Sequence, residues 1–250
     1  MKKSKRKRLT RFQRITRKIR MFIKGRREIL VLGDSHACVF KEDEAQLPGY
    51  YFSVVDAGGA TISGLKNPNS NSRALHQFKK ALRWYFGGIC VVMLGEVDTG
   101  FVIWYRAKKH GMKVEEIFEK TVANYIDFIG TISKKKHVVI ISTPLPTIRD
   151  GQEWGEVAGL RKEVDASLAE RTRLTLNLNL RMQAFADEHG IHCINLDSVS
   201  IDEDQTVKAE LRNADPNDHH YDARAHLRLI LPELSKVVHL IDSGGAPKRT

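Results

Sequence analysis

The stretch EILVLGDSH, residues 28–36, joins a short apolar run to a glycine and a polar turn. The run Glu28–Leu32 predicts a buried β-strand that ends at Gly33. Four further apolar runs predict the other strands: Tyr51–Val55, Ile89–Leu94, His137–Ser142 and Ile191–Leu196. Helical periodicity covers Arg73–Phe86, Val114–Ser133, about residues 161–188 and about residues 223–240. This alternation predicts an α/β fold, a flavodoxin-like three-layer α/β/α sandwich with a mainly parallel five-stranded sheet.

The charge of the chain is concentrated at one end. The 250 residues carry 41 Lys and Arg against 30 Asp and Glu, which gives a formal net charge of +11. Residues 1–27 hold 14 basic residues and no acidic one, so the remainder has 27 basic and 30 acidic residues, a net charge of −3. We therefore predict a basic arm at 1–27, one α/β/α domain at 28–242 and a flexible tail at 243–250.

The arm combines its charge with an apolar stripe. Phe12, Ile15, Ile19, Phe22 and Ile23 recur at helical spacing among basic residues. This pattern indicates an amphipathic helix on an anionic membrane surface, a contact with another polyanion, or simply a solvated terminus. No nucleic-acid-binding motif accompanies the stripe, so nucleic acid is not the expected partner. The arm also lacks the apolar core and cleavage site of a secretory signal.

The cysteines indicate a reducing compartment. Cys38, Cys90 and Cys193 are odd in number and far apart, and the last two lie within apolar runs. This pattern favours buried free thiols over a disulfide framework or a zinc site. We therefore expect a cytoplasmic protein, free or held at the membrane periphery by residues 1–27.

Polar clusters follow every predicted strand. Parallel strands bring their carboxyl ends to one edge of the sheet, where ligands of open α/β sheets bind. The clusters are Gly33-Asp34-Ser35-His36, Asp56-Ala57-Gly58-Gly59, Gly95-Glu96-Val97-Asp98, Ser142-Thr143-Pro144 and Asp197. A histidine-rich segment, Asp215–Tyr221, precedes the last helix. We expect these residues to converge on one site.

Ser35 is the candidate nucleophile. It stands between a glycine turn and an expected helix start, where backbone N–H groups can stabilise an oxyanion. A serine that attacks a carbonyl needs a histidine base and a carboxylate that orients the base. His219 or His220 can supply the base, and Asp215 or Asp218 the carboxylate. The structural alternatives are a helix N-cap for Ser35 and a surface turn for the histidines.

These residues resemble the SGNH/GDSL superfamily of esterases and acyl-transfer enzymes, over about residues 29–226. The first block of that family is matched by Gly33-Asp34-Ser35, and its oxyanion-hole glycine by Gly59. The third block, Gly-x-Asn-Asp, is matched in part by Gly95-Glu96-Val97-Asp98. The fifth block places a histidine before a helix, often with a second histidine six residues on, as His220 and His226 are spaced.

The resemblance implies a set of roles. Ser35 is the nucleophile, His220 is the base, and the N–H groups of Ser35 and Gly59 form the oxyanion hole. The family has Asp-x-x-His, but Asn217 stands three residues before His220. The orienting acid is therefore expected to be Asp218, with Asp215 as the alternative.

The third block departs from the family at Val97. This residue replaces the oxyanion-hole asparagine, and a missing oxyanion donor typically costs about 3–4 kcal/mol. Glu96 is a candidate to replace the polar function. Asp98 is expected to contact either the turn at Ser35 or the substrate.

Other candidates for substrate contact or support of the site are Asp34, Trp104 and Arg106. Trp104 and Arg106 can stack on a sugar or hold an anionic group, and partial burial under the next helix is the alternative. The proline loop Thr143–Asp150 is placed to form one wall of a pocket.

We expect a serine esterase or O-acyltransferase that acts on an acylated small molecule or carbohydrate. No cofactor and no metal is implied, and the spaced glycines of a dinucleotide site are missing. The alternative is an inactive relative, a binding module that its arm tethers to a membrane or polyanion. Val97 and the spacing of the acid favour this alternative.

Overall fold

Five strands form one parallel sheet in a computed structural model of the chain, which describes residues 16, 25–67, 69–151, 165–216 and 218–244. The strands are β1 (Arg27–Gly33), β2 (Tyr50–Asp56), β3 (Ile89–Met93), β4 (His137–Ile141) and β5 (His192–Ile194). Their order across the sheet is β2-β1-β3-β4-β5, the order of flavodoxin-like folds. Each predicted strand is present, and its ends differ from the prediction by no more than two residues.

Six α-helices occur in the described residues: α1 (Ala74–Arg83), α2 (Ile103–His110), α3 (Val114–Ser133), α4 (Leu168–His189), α5 (Asp197–Ser200) and α6 (Ala223–Asp242). A π-helical turn, Asp98–Val102, leads directly into α2, and 3-10 helices cover Ser35–Lys41, Ser63–Lys66 and Ala209–Leu211. The helix predicted from about residue 161 begins at Leu168, because Ser167 and Glu170 form a capping box there. Residues 161–164 lie outside the described part.

The sheet is covered on both faces, which explains why its strands are apolar throughout. Leu30 and Leu32 of β1 pack against α1–α4, whereas Ile29 and Val31 pack against α6 and the helix Ser35–Lys41. Burial of each such side chain contributes about 1.5–3 kcal/mol. The three-layer α/β/α sandwich is therefore confirmed.

The strand order changes direction at β1, which has β2 on one side and β3 on the other. Ligands of such sheets bind in the crevice outside the carboxyl ends of the strands at this point. Gly33 allows the close approach of β1 and β3 there. A Cβ atom on Gly33 would lie 2.5 Å from the carbonyl oxygen of Met93 and 2.6 Å from Cβ of Ala37.

Most of the predicted arm lies outside the described residues, as does the tail from residue 245. Two residues counted with the arm contact the domain. Arg26 donates a 3.4 Å hydrogen bond to the carbonyl oxygen of Leu47, and Arg27 begins β1 and pairs with Asp242 at the end of α6. Within the described ranges, no helix has the length and apolar character needed to span a membrane.

Candidate active site

Ser35 lies in the turn that directly follows β1. Asp34 caps the 3-10 helix Ser35–Lys41, because its Oδ1 accepts a 2.9 Å hydrogen bond from the N–H of His36 and lies 3.1 Å from Nδ1 of that residue. The N-cap is therefore Asp34 and not Ser35. The half-buried side chain of Ser35 is left for another role.

The turn after β2 is fastened to the end of β1. The carbonyl oxygen of Gly33 accepts a 2.9 Å hydrogen bond from the N–H of Ala57. Gly59 has φ +66°, a conformation that glycine adopts without steric cost. Among the described residues, no hydrogen bond occupies the N–H of Ser35 or of Gly59. Both groups are thus available to an oxyanion.

Asp98 holds the loop that follows Gly59. Its Oδ2 accepts a 2.6 Å hydrogen bond from the N–H of Ile62, and its Oδ1 accepts bonds from the N–H and hydroxyl of Ser63, at 3.2 and 2.9 Å. Burial raises the pKa of Asp98 to about 6, and these hydrogen bonds oppose the rise. These bonds place Asp98 against the second turn, and the expected contact with the turn at Ser35 is not among them.

His220 lies in the loop before α6 with a carboxylate behind its ring. Its Nδ1 lies 2.6 Å from Oδ1 of Asp218, which also accepts a 3.2 Å hydrogen bond from the backbone N–H of His220. The opposite ring nitrogen, Nε2, is buried and has no hydrogen-bond partner in the described part of the chain. Asp215 is exposed, and its carbonyl oxygen accepts a 3.0 Å bond from the N–H of Asp218. The geometry thus pairs the ring with Asp218.

The surroundings of His220 favour its neutral form. Burial lowers the pKa of His220 and the nearby His36 acts in the same direction, while Asp218 and Glu96 oppose them. His226, in the first turns of α6, is also buried, and burial together with His36 lowers its pKa to about 3. A neutral imidazole can accept a proton at neutral pH.

His36 joins the turn at Ser35 to the histidine segment, a role that the sequence pattern does not assign. Its ring centroid lies 4.6 Å from that of His220 and 5.6 Å from that of His219. The only sequence signal is a polar residue directly after Ser35. Its contact with residues 183 and 184 positions further along depends on the tertiary fold.

Ser35 and His220 are neighbours through His36, but they are not hydrogen-bonded. Nε2 of His220 has no partner within the described ranges, and the hydroxyl of Ser35 does not reach it in bonding geometry. Catalytic hydrogen bonds often form only in the complex with substrate. Transfer of a proton from Ser35 to Nε2 of His220 therefore requires that these two groups move closer together.

The proline loop Thr143–Asp150 supports the histidine segment. The hydroxyl of Tyr221 accepts a 2.8 Å hydrogen bond from the N–H of Leu145, and the hydroxyl of Thr147 donates a 2.7 Å bond to the carbonyl oxygen of His219. A cavity of about 240 Å³ lies between loop and segment, lined by residues that include Thr147, Arg149, Arg212 and Asp218. The loop therefore forms a wall of this cavity.

The remaining candidates occupy different surroundings. Glu96 is buried, and its carboxylate is near enough to His220 to raise the pKa of that ring. Val97 is half-buried and directly precedes the π-helical turn. Trp104 donates a 2.7 Å hydrogen bond from Nε1 to the carbonyl oxygen of Thr99. Trp104 and Arg106 are half-buried in α2 and do not line the cavity beside Asp218.

Solved structures share this architecture. A protein described as an arylesterase from Agrobacterium tumefaciens is 16% identical, with 85% of this chain and 98% of that chain covered and a TM-score of 0.56. A carbohydrate acetylesterase from Sinorhizobium meliloti is 15% identical, with 86% and 100% covered and a TM-score of 0.52. A GDSL-like lipase from Bacteroides thetaiotaomicron is 15% identical, with 86% and 89% covered and a TM-score of 0.51.

The chain has the fold of the GDSL-type esterases. No protein-family model matches the sequence, and no curated protein matches it. In the GDSL-type fold of this chain, the block Gly33-Asp34-Ser35 stands at the carboxyl end of β1 and the histidine segment directly precedes the last helix.

Proposed function

We propose that the protein is a serine esterase or acyl-transfer enzyme of the GDSL type. The observation that carries the proposal is the pair of Asp218 and His220, with 2.6 Å between Oδ1 and Nδ1 and with Nε2 buried beside the turn of Ser35. A carboxylate at Nδ1 fixes the tautomer in which Nε2 accepts a proton. The names of the solved relatives support an ester as the substrate.

The proposed reaction divides acyl transfer into two steps. Nε2 of His220 takes the proton of Ser35 as Oγ attacks the ester carbonyl, and the N–H groups of Ser35 and Gly59 bind the resulting oxyanion. When the tetrahedral intermediate collapses, His220 returns the proton to the departing alkoxide. Water or an acceptor hydroxyl then attacks the acyl-serine with His220 again as base, and Ser35 is regenerated.

The expected substrate is an acylated small molecule or carbohydrate. One solved relative is a carbohydrate acetylesterase, and the cavity beside Asp218 is lined by polar and charged groups that can hydrogen-bond a sugar. Arg149 and Arg212 lie on this wall. They, and not Trp104, are the residues that we expect to contact the part of the substrate beyond the ester.

Hydrolysis of p-nitrophenyl acetate tests the proposal. Ser35→Ala and His220→Ala are expected to lower kcat/KM at least about 1,000-fold, because each removes a group that acts in the transition state. Ser243→Ala and His110→Ala change exposed residues of the same types and are expected to keep the wild-type rate. A fluorophosphonate phosphonylates a nucleophilic serine with release of HF, so the mass of its phosphonyl group should be added to the wild type but not to Ser35→Ala.

A second candidate is a binding module of the same fold, held by its arm at a membrane or polyanion. Two observations favour it: Val97 stands where the family has an oxyanion donor, and Ser35 is not hydrogen-bonded to His220. Equal background rates for wild type, Ser35→Ala and His220→Ala, together with no fluorophosphonate adduct, would support this candidate over the esterase.

A further inference from the structure

Two histidines of the candidate site each have a carboxylate behind the ring. Nδ1 of His220 lies 2.6 Å from Asp218, and Nδ1 of His36 lies 3.1 Å from Asp34. Asp34 and His36 are both buried. In metal sites, a carboxylate at one ring nitrogen orients the histidine and makes the other nitrogen a better ligand. A single serine esterase triad uses one such pair, and it does not require a second ring with a carboxylate behind it.

A third histidine completes the group. One ring nitrogen from each of His36, His219 and His220 lies within 4.8 Å of the others. In a tetrahedral zinc site with Zn–N distances of about 2.0–2.1 Å, the ligand nitrogens are about 3.3 Å apart. His219 and His220 are half-buried loop residues, so rotations of their side chains can close this gap without movement of the sheet.

The charges around the three rings suit a cation. Asp34 is buried, and its Oδ2 has no hydrogen-bond partner among the described residues. Asp218 lies against the ring of His220 as Asp34 lies against that of His36. A divalent cation held by the three rings would therefore be balanced by two carboxylates.

We propose that His36, His219 and His220 form a binding site for a divalent transition-metal ion, and that Zn²⁺ is the ion that fits it. Three imidazoles with a fourth position left open are a common zinc ligand set. Nε2 of His220 is also the proton acceptor of the proposed esterase. The ion and Ser35 therefore compete for this nitrogen, and metal occupancy stops ester hydrolysis. The inhibition of ester hydrolysis by the ion rests on the proposed function, whereas binding of the ion does not.

Metal binding is tested on the full chain after treatment with a chelator and dialysis. We expect calorimetric titration with Zn²⁺ to show one site, and Co²⁺ to give the intense visible absorption of a tetrahedral complex. His36→Gln and His219→Gln should each weaken Zn²⁺ binding at least about 100-fold. His110→Gln changes an exposed histidine of α2 and should bind as the wild type does. His36 is buried, whereas His219 is only half-buried. His219→Gln therefore still tests the site if His36→Gln fails to fold.

Inhibition is tested by p-nitrophenyl acetate hydrolysis with Zn²⁺ and then with excess chelator, each variant being compared with its own metal-free rate. The wild type should lose activity with Zn²⁺ and regain it with chelator, and His219→Gln should need about 100-fold more Zn²⁺. Equal affinity of wild type, His36→Gln and His219→Gln for Zn²⁺ would overturn the site. If Zn²⁺ accelerates hydrolysis, competition with Ser35 is wrong. Metal binding without any ester hydrolysis supports the site and contradicts the proposed function.

Discussion

Replacement of Gly33 by alanine tests whether close packing of β1 on β3 builds the site. Its Cβ atom would lie 2.5 Å from the carbonyl oxygen of Met93 and 2.6 Å from Cβ of Ala37. Both neighbours are held by the fold, one as backbone of β3 and the other as a buried side chain of the helix Ser35–Lys41. The clash can therefore be relieved only if β1 moves away from both β3 and the helix Ser35–Lys41.

The expected cost combines strain with a weakened hydrogen bond. Overpacking of a filled interior costs about 1–3 kcal/mol. Separation of β1 from β3 also weakens the bond from the N–H of Asp34 to the carbonyl oxygen of Met93, which is 3.4 Å long. Such a bond contributes about 0.5–1.5 kcal/mol. We expect Gly33→Ala to lower the free energy of unfolding by about 1.5–4.5 kcal/mol, out of a typical 5–15 kcal/mol.

Urea denaturation followed by circular dichroism measures this loss. Gly58→Ala is the matched control, because Gly58 is exposed in the neighbouring turn and a Cβ atom there meets nothing within 4 Å. The control should differ from wild type by less than about 0.5 kcal/mol. If Gly33→Ala is as stable as Gly58→Ala, the close approach of β1 and β3 is not what requires glycine.

Two further predictions concern the histidines. Asp218→Asn removes the charge that stabilises protonated His220, so the imidazole should titrate at lower pH by NMR and ester hydrolysis should slow at least about 100-fold; an unchanged titration would contradict the pairing. The pKa of His226 is about 3 in the folded protein and about 6.5 in the unfolded chain. Because the unfolded chain takes up the proton first, the folded protein loses stability as the pH falls from about 6.5 to about 3. Between pH 7 and pH 4, wild type and His110→Gln should each lose about 3 kcal/mol more of their free energy of unfolding than His226→Gln does, as measured by urea denaturation.

The fold was predictable because the strands carry their own signal. Strands buried on both faces are continuous apolar runs, and the turns at Gly33 and Gly95 mark their ends. The helix α3 was predicted with its full bounds. The helix α2 was not, because it continues a π-helical turn at Asp98–Val102 that helical periodicity does not describe.

Candidates for the site could be named from the sequence only where its residues lie in short blocks. Ser35, Gly59 and Asp218 are candidates that local sequence and the resemblance supply, and their roles remain predictions. The contact of His36 with His219 and His220 joins the two ends of the domain, and no local spacing encodes it. The Asp98 bonds to Ile62 and Ser63 likewise depend on where β3 ends relative to the loop after β2.

A carboxylate behind Nδ1 of a histidine has two chemical consequences, and they need different surroundings. It produces a good base if a serine hydroxyl faces Nε2, and a good metal ligand if other imidazoles do. An esterase requires this arrangement once, at Asp218 and His220. Here it occurs again at Asp34 and His36, with the two rings 4.6 Å apart. Asp34 also caps the helix Ser35–Lys41, but an esterase alone does not require the ring of His36 beside that of His220, whereas the proposed metal site does.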